Sequence, residues 1–408
     1  AYTAFDETVY MLQIPTKNEE FIDKGFEIIS QWFTSLSLAD EEIDGERDVI
    51  VEEWRLRRGA GSRIQEQHIE NLFPNSKYSK RSPIGDIEII QNFTYDKIKD
   101  YYKDWYRTDL CAVIVVGDIN PQDALNYIEK YFSTIPASEN PRERTYDVIQ
   151  DFEEDRVSIV SDPELQYPSI SVSYMYEKIE NLDNLNNFKT LIIQDIITQM
   201  INMRLNELTT NPNSPYLYAY SDFTRIMGRD LFRKNRMYSI SAYTKEEQIL
   251  EGFSLTLTEI NRIKEFGFIE SEYNRIVSQI KNTLETQLNE KDNTDSKYFT
   301  NKYINHYLVG IPYLSFENRI TVFDKIIEEI TLEDINNHIE LMFIENNTFY
   351  TIEYPEKDNI EEITHHDIKQ IIDTKINDEI IAYEEEEITN DLFKGKNNNT
   401  GYIVSSNN

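Results

Sequence analysis

The sequence predicts an α+β protein of two similar domains, each a mainly antiparallel sheet packed against helices. Two observations carry this. Short segments with strand periodicity alternate with longer ones of helical periodicity, and the order strand, helix, strands, helices, strand runs twice along the 408 residues. Hydrophobic content of 39%, with 12% aromatic, is that of a chain with real cores, and the length has room for two or three of them.

The first domain is expected over residues 1–140. "ETVYMLQIPT" (7–16) reads as a strand ending at Pro15, followed by helices over 18–37 and 40–58. "GSRIQEQHIENLF" is a further helix. "SPIGDIEIIQNFTYDKIKDYYKDWY" opens on a Pro-Gly turn and continues as helix, with Thr94 placed to cap its second half. "LCAVIVVGDI" (110–119) is continuously apolar, as a strand buried on both faces should be. "PQDALNYIEKYFSTIP" is an amphipathic helix opened by proline.

Residues 141–156, rich in charge with a proline, read as a linker, and a second domain is expected over 157–355. "YPSISVSYMY" alternates, placing Ile170, Val172, Tyr174 and Tyr176 on one face. A long helix over 184–208, strands within 216–243, helices from 246 to 343 and the strand "NTFYTIEYP" complete the unit. From 356 to 408 the composition turns polar and acidic, which predicts a linker with one helix at 366–384.

The net charge of −33 argues against nucleic acid as a partner, because phosphate contacts need clustered lysine and arginine. It also disfavours anionic membrane surfaces, and the longest strongly apolar run is far too short to span a bilayer. The single cysteine, Cys111, lies in that run and reads as a small buried hydrophobe. His68, His306 and His338 are isolated, and Glu362 with His366 reads as a solvated pair, so the histidines build no metal site. Neither His-x-x-Glu-His, nor a paired-cysteine motif, nor a phosphate-cradling glycine loop occurs.

"GERDVIVEEWRLRRG" (45–59) raises the sharpest question. On a helical wheel Val49, Ile50, Val51, Trp54 and Leu56 fan over one broad side, and Glu46, Glu53 and Arg57 fall in the middle of that fan. Buried carboxylates need a counter-charge. Arg57, four residues after Glu53, could provide it as an ordinary ion pair, or a divalent metal could; the wheel does not choose.

"AYTAFDETVYMLQIP", "GERDVIVEEWRLRRGAGSRI", "SPIGDIEIIQNFTYDKIKDYYKDWYRTDL" and "CAVIVVGDINPQDALNYIEKYF" together resemble, in order and spacing, the pitrilysin/insulinase family of zinc peptidases, strongly to about residue 150 and more loosely to about 355. The resemblance implies a half-clamshell fold. It also implies zinc as cofactor, held by a His-x-x-Glu-His motif expected upstream of Ala1 and by a downstream glutamate, here Glu53, with Glu46 as a supporting carboxylate. Ala1 and Tyr2 would lie on the edge strand to which substrate peptide adds. The implied partners are unfolded peptide substrates and a C-terminal half or homologous subunit, and the implied location is a periplasm. Lacking the motif, the chain alone is expected to be inactive. The family's substrate-positioning arginine and tyrosine belong to the other half; Arg204 and Tyr216 here read as a helix-surface charge and a core aromatic. A non-catalytic scaffold and an acidic helical binding protein are the rival readings.

Overall fold

The computed structural model describes residues 1–223, 225–226, 229–230, 232–375 and 379–385. Its first part is almost wholly helical. β1 (Tyr2–Thr3) and β2 (Thr8–Val9) form a short antiparallel pair. They are followed by α1 (Glu19–Thr34), α2 (Asp40–Arg57), α3 (Ala60–Leu72), α4 (Lys77–Lys80), α5 (Ile87–Asn92), α6 (Tyr95–Trp105) and α7 (Pro121–Phe132).

Local chemistry sets these boundaries. Asn18 and Asn120 each accept a backbone N–H in the first turn of α1 and α7, and Pro121 opens α7 where its missing N–H costs nothing. Thr94 occupies the cap position of α6 as expected, but its side chain makes no capping bond. α1 buries Ile22, Phe26 and Ser30 at four-residue spacing, and the rings of Phe26 and Tyr127 stack at 5.1 Å against α7. Gly25 lets the chain before α1 come close: a Cβ there would stand 2.7 Å from Ile14 Cδ1.

Two strand expectations in this part are corrected. Of residues 7–16 only Thr8–Val9 pair. The run 110–119 is no buried strand: Thr108–Leu110 make a 3-10 turn, and Cys111 is extended (φ −127°, ψ 160°). Val113 to Val116 follow, half buried, with no ladder among the described residues. An apolar run sets the extended conformation, but a strand also needs a neighbour to take its N–H and C=O groups. Cys111 is half buried accordingly, and burial raises its thiol pKa.

The second part holds the sheet. In chain order it contains β3 (Arg156–Asp162), β4 (Ser169–Glu177), α8 (Leu185–Thr210), β5 (Tyr216–Phe223), the two-residue pair β6 (Arg225–Ile226) and β7 (Arg229–Asp230), and β8 (Asn235–Thr244). It continues through α9 (Ile249–Phe266), α10 (Glu270–Asn289), α11 (Ser296–Val309), α12 (Phe316–Ile327), α13 (Leu332–Met342), β9 (Thr348–Pro355) and α14 (His365–Lys375). The five long strands lie in the order β3-β9-β4-β8-β5, antiparallel except for β3 beside β9. Ile170 stands opposite Ile352 on one side and Ala242 on the other. The face holding these residues packs on α8, whose Ile196, Ile197, Met200 and Ile201 are wholly buried.

α8 is enclosed on nearly all sides, so its polar residues must be satisfied inside. Arg204 is therefore not the surface charge expected from sequence: it is 1% exposed. Its Nε and Nη2 donate to the two carboxylate oxygens of Glu272 at 2.6 and 2.8 Å, and Nη2 also donates to Gly267 O at 2.9 Å. Glu259, buried beside it, has its carboxyl pKa raised by burial, opposed by Arg262 and Arg204. Gly267, at φ 65°, turns the chain between α9 and α10, and Asn336 bonds both backbone groups of Phe268 next to it. Tyr216 is the core aromatic expected, its hydroxyl 2.7 Å from Thr256 Oγ1.

α3 joins the two parts by lying across β3. Arg63 forks onto Asp162 through Nε and Nη2 at 2.8 and 2.7 Å. His68, 8% exposed, stands 2.7 Å from Ser158 Oγ and 3.1 Å from Glu353 Oε1. Leu72, Phe73, Tyr78, Ile149, Met175, Phe232 and Phe349 form a second apolar cluster beneath. Residues 137–155 carry no helix or strand but are strapped down: Ile149 exchanges two hydrogen bonds with Asn235, and Phe152 N–H donates to Asn347.

The stretch after 356 departs from its expected linker character as far as it is described. Ile363 and Ile368 are buried in the main core, α14 packs against α9, and Tyr383 bonds Glu207 and covers Arg204. Apolar residues spaced by four or five in a polar stretch suffice to dock it. The expected helix at 366–384 is observed as His365–Lys375; residues 386–408 and 376–378 lie outside the described residues.

Candidate metal-site face of helix α2

α2 packs on the protein mainly through Ile43, Arg47, Ile50, Val51 and Trp54, of which Ile43 and Val51 are buried, and Asp40 and Asp44 accept from Lys99 and Tyr95. Arg47 is the anchor. Its guanidinium donates to the backbone carbonyls of Ile90 and, at 2.7 Å, Phe93, which close α5, and it lies 3.9 Å over the Phe93 ring. A cation at a helix C-terminus satisfies carbonyls that the helix cannot.

The inward orientation expected for Glu46 and Glu53 is not observed. Glu46 is exposed and has no hydrogen-bond or ion-pair partner among the described residues. The Glu53 side chain is 43% exposed and meets Arg57 Nη2 at 2.6 Å. Val49 and Leu56 stand on the same outward side, 56% and 85% exposed. The apolar residues of α2 span more than half its circumference, and only one shoulder of that fan meets a neighbour. The wheel's midpoint, where the acids sit, lies on the uncovered shoulder. Glu46, Val49, Glu53 and Leu56 thus make a stripe of two carboxylates and two apolar side chains facing outward.

β1 pairs with β2 alone among the described residues, leaving its other edge without a strand. Ala1 is exposed; the Tyr2 hydroxyl donates to Glu7 Oε1 at 3.0 Å.

By themselves these residues do not hold zinc. Among the described residues no three His, Cys, Asp or Glu side chains converge as a metal-binding group. Glu53 offers one carboxylate, and zinc takes three or four protein ligands. His68 is bound up on the far side of α3, between Ser158 and Glu353. Its burial was legible, since Ile64, His68 and Leu72 stand four apart on α3. The burial of Arg204 was not, because no charge pattern on α8 marks it.

The profile of the insulinase family of peptidases (family M16) matches residues 1–77, and that of the M16 peptidase inactive domain matches residues 92–280. The chain belongs to this peptidase family, and several of its curated relatives are named zinc proteases. It is 27% identical over 343 residues to the "Probable zinc protease PqqL" of Haemophilus influenzae, covering 82% of this chain and 35% of that protein. The Escherichia coli protein of the same name is 24% identical over 338 residues, again 82% and 35%. The chain thus spans about a third of the length of these relatives.

Among solved structures, the periplasmic protease PqqL from Escherichia coli matches with a TM-score of 0.85 at 21% identity, covering 97% of this chain and 42% of that one. The first half of the same protein matches with a TM-score of 0.84, covering 94% and 81%. These likenesses establish the α+β fold. No helix of the described residues is long and apolar enough to cross a membrane.

Proposed function

We propose that this chain forms the first half of a two-part zinc endopeptidase that closes around unfolded peptides. Residues 1–140 would be the metal-bearing domain, 157–355 a second domain of similar plan, and 356–408 the route to a C-terminal half or homologous subunit. The observation that carries the reading is that Glu46 and Glu53, at the spacing the family resemblance implies, lie inside the segment matched by the insulinase profile; their outward placement here does not itself support it. Val49 and Leu56, exposed beside the acids, give that face apolar surface that a covering partner would bury. Glu53 is proposed as one zinc ligand and Glu46 as its support, the remaining ligands coming from outside these 408 residues.

Ala1 and Tyr2 would take substrate as an added strand along the open edge of β1, with backbone groups giving affinity independent of sequence. The match of residues 92–280 to a domain named inactive supports placing the chemistry on the first part. The periplasmic PqqL structure supports an exported location. Zinc binding and peptide hydrolysis by the isolated chain are expected to be negligible.

One observation favours a second reading, a non-catalytic scaffold or partner subunit: Glu53 already has a partner in Arg57, and among the described residues no group of three metal-ligating side chains forms around it. Metal analysis of the native protein that carries these residues separates the two. Near-stoichiometric zinc that is lost on Glu53→Gln substitution supports the peptidase reading; a native protein without zinc supports the scaffold.

A further inference from the structure

Where α11, α12 and the start of α8 meet, a recess of about 160 Å³ opens far along the sequence from α2. Its walls are partly aromatic. Tyr298 and Phe316 stack with centroids 5.7 Å apart, Tyr313 and Phe188 add two more rings, and aliphatic side chains and Asn305 make up the rest. An apolar cavity of about 150 Å³ takes a benzene-sized ring, so this space suits one aromatic side chain.

The rim carries charge of the minority sign in this protein, where acids outnumber bases 74 to 41. Arg319 Nη1 donates to Gln287 Oε1 at 2.8 Å and to the Tyr298 hydroxyl at 3.0 Å, both neutral. Its Nε and Nη2 donate to nothing among the described residues. Those two groups form the side-on edge of the guanidinium, which matches both oxygens of a carboxylate. The Lys302 ammonium lies 5.4 Å from the Tyr298 ring centre and adds a second cation to the rim. The nearby Glu317 is taken by Lys291 at 2.6 Å, so it does not fill the fork of Arg319.

We infer that this recess binds the carboxyl-terminal residue of a peptide when that residue is aromatic, its ring within the aromatic walls and its carboxylate on the free edge of Arg319. The site shares no residue with α2 and needs no metal, so its success or failure is separable from that of the zinc reading.

The test is a titration of the 408-residue chain with N-acetylphenylalanine, N-acetylphenylalanine amide and N-acetylalanine, followed by ligand-observed saturation-transfer NMR. The free acid of phenylalanine is expected to bind roughly tenfold more tightly than either of the others, the size of one charge-assisted contact. Arg319→Gln should bring the acid down to the level of the amide and leave the amide unchanged. Tyr313→Ala, at a side chain 36% exposed and outside the core, should weaken acid and amide alike and serves if the arginine variant fails to fold. Equal binding of acid and amide, no transfer to the acid at about 10 mM, or folded variants that bind the acid as the parent does would each overturn the proposal.

Discussion

Arg204 is held by Glu272, Gly267 and Glu259 at the centre of the second part, with the rings of Phe268 and Tyr383 on its guanidinium. Removing one member of a buried ion pair strands the others in low dielectric. Arg204→Met should therefore lower unfolding free energy by about 3–5 kcal/mol in a urea titration, whereas a surface lysine-like role would leave it within about 0.5 kcal/mol. Tyr216→Phe should cost about 1 kcal/mol, because Thr256 Oγ1 keeps its bond to Gly252 O at 3.0 Å when the tyrosine hydroxyl goes. Residue type told these two positions apart badly. A tyrosine in a strand is read as core by default, and an arginine on a helix as surface, yet both lie inside. The acids at 259 and 272 and the Gly267 carbonyl, all far away in sequence, make the arginine's burial possible.

At the scale of elements, the helices and four of the five long strands were legible from their periodicity and from the caps, prolines and glycines at their ends, while β3 (Arg156–Asp162) was not marked as a strand. What was not legible depended on neighbours. The apolar run after Leu110 is extended without a ladder, and the stripe on α2 is uncovered, because a sequence pattern records how a face is built and not whether it is covered. The α3–β3 junction shows the same limit from the other side: Arg63, His68 and Asn71 meet Asp162, Ser158 and Glu353 across 87 to 285 residues of chain. Arg63 holds the Asp162 carboxyl below the usual carboxylate range, chiefly through its hydrogen bonds. A carboxyl depressed in the folded state stabilises above its unfolded pKa, near 4, and loses that contribution as pH falls through the lower folded value. Arg63→Gln should accordingly lower the melting temperature at pH 6, and the gap to the parent should close as pH falls below about 4. A gap that is constant with pH would mean that the pair contributes by packing alone.

At the scale of the whole molecule, the proposed peptidase role requires the outward face of α2, bare among the described residues, to be covered when the zinc site is assembled. Leu56→Asp then has opposite expectations in two settings. In the 408-residue chain, with the side chain 85% exposed, stability should change by no more than about 0.5 kcal/mol. In the native protein the same change should destabilise by about 2 kcal/mol or more, as burying an unpaired charge does, and differential scanning calorimetry on both would show it. The helical wheel singled out the two carboxylates, and the family resemblance alone implied a metal role for them; the structure covers only one shoulder of the fan that holds them. The most direct measurement is zinc per polypeptide in the native protein and its Glu53→Gln and Glu46→Gln variants, by mass spectrometry after dialysis. A fall from about one zinc to nearly none on Glu53→Gln is predicted, with a weaker loss of about 10- to 100-fold in affinity on Glu46→Gln. Unchanged zinc in the Glu53→Gln protein, with only the small stability loss of a severed surface pair to Arg57, would contradict it.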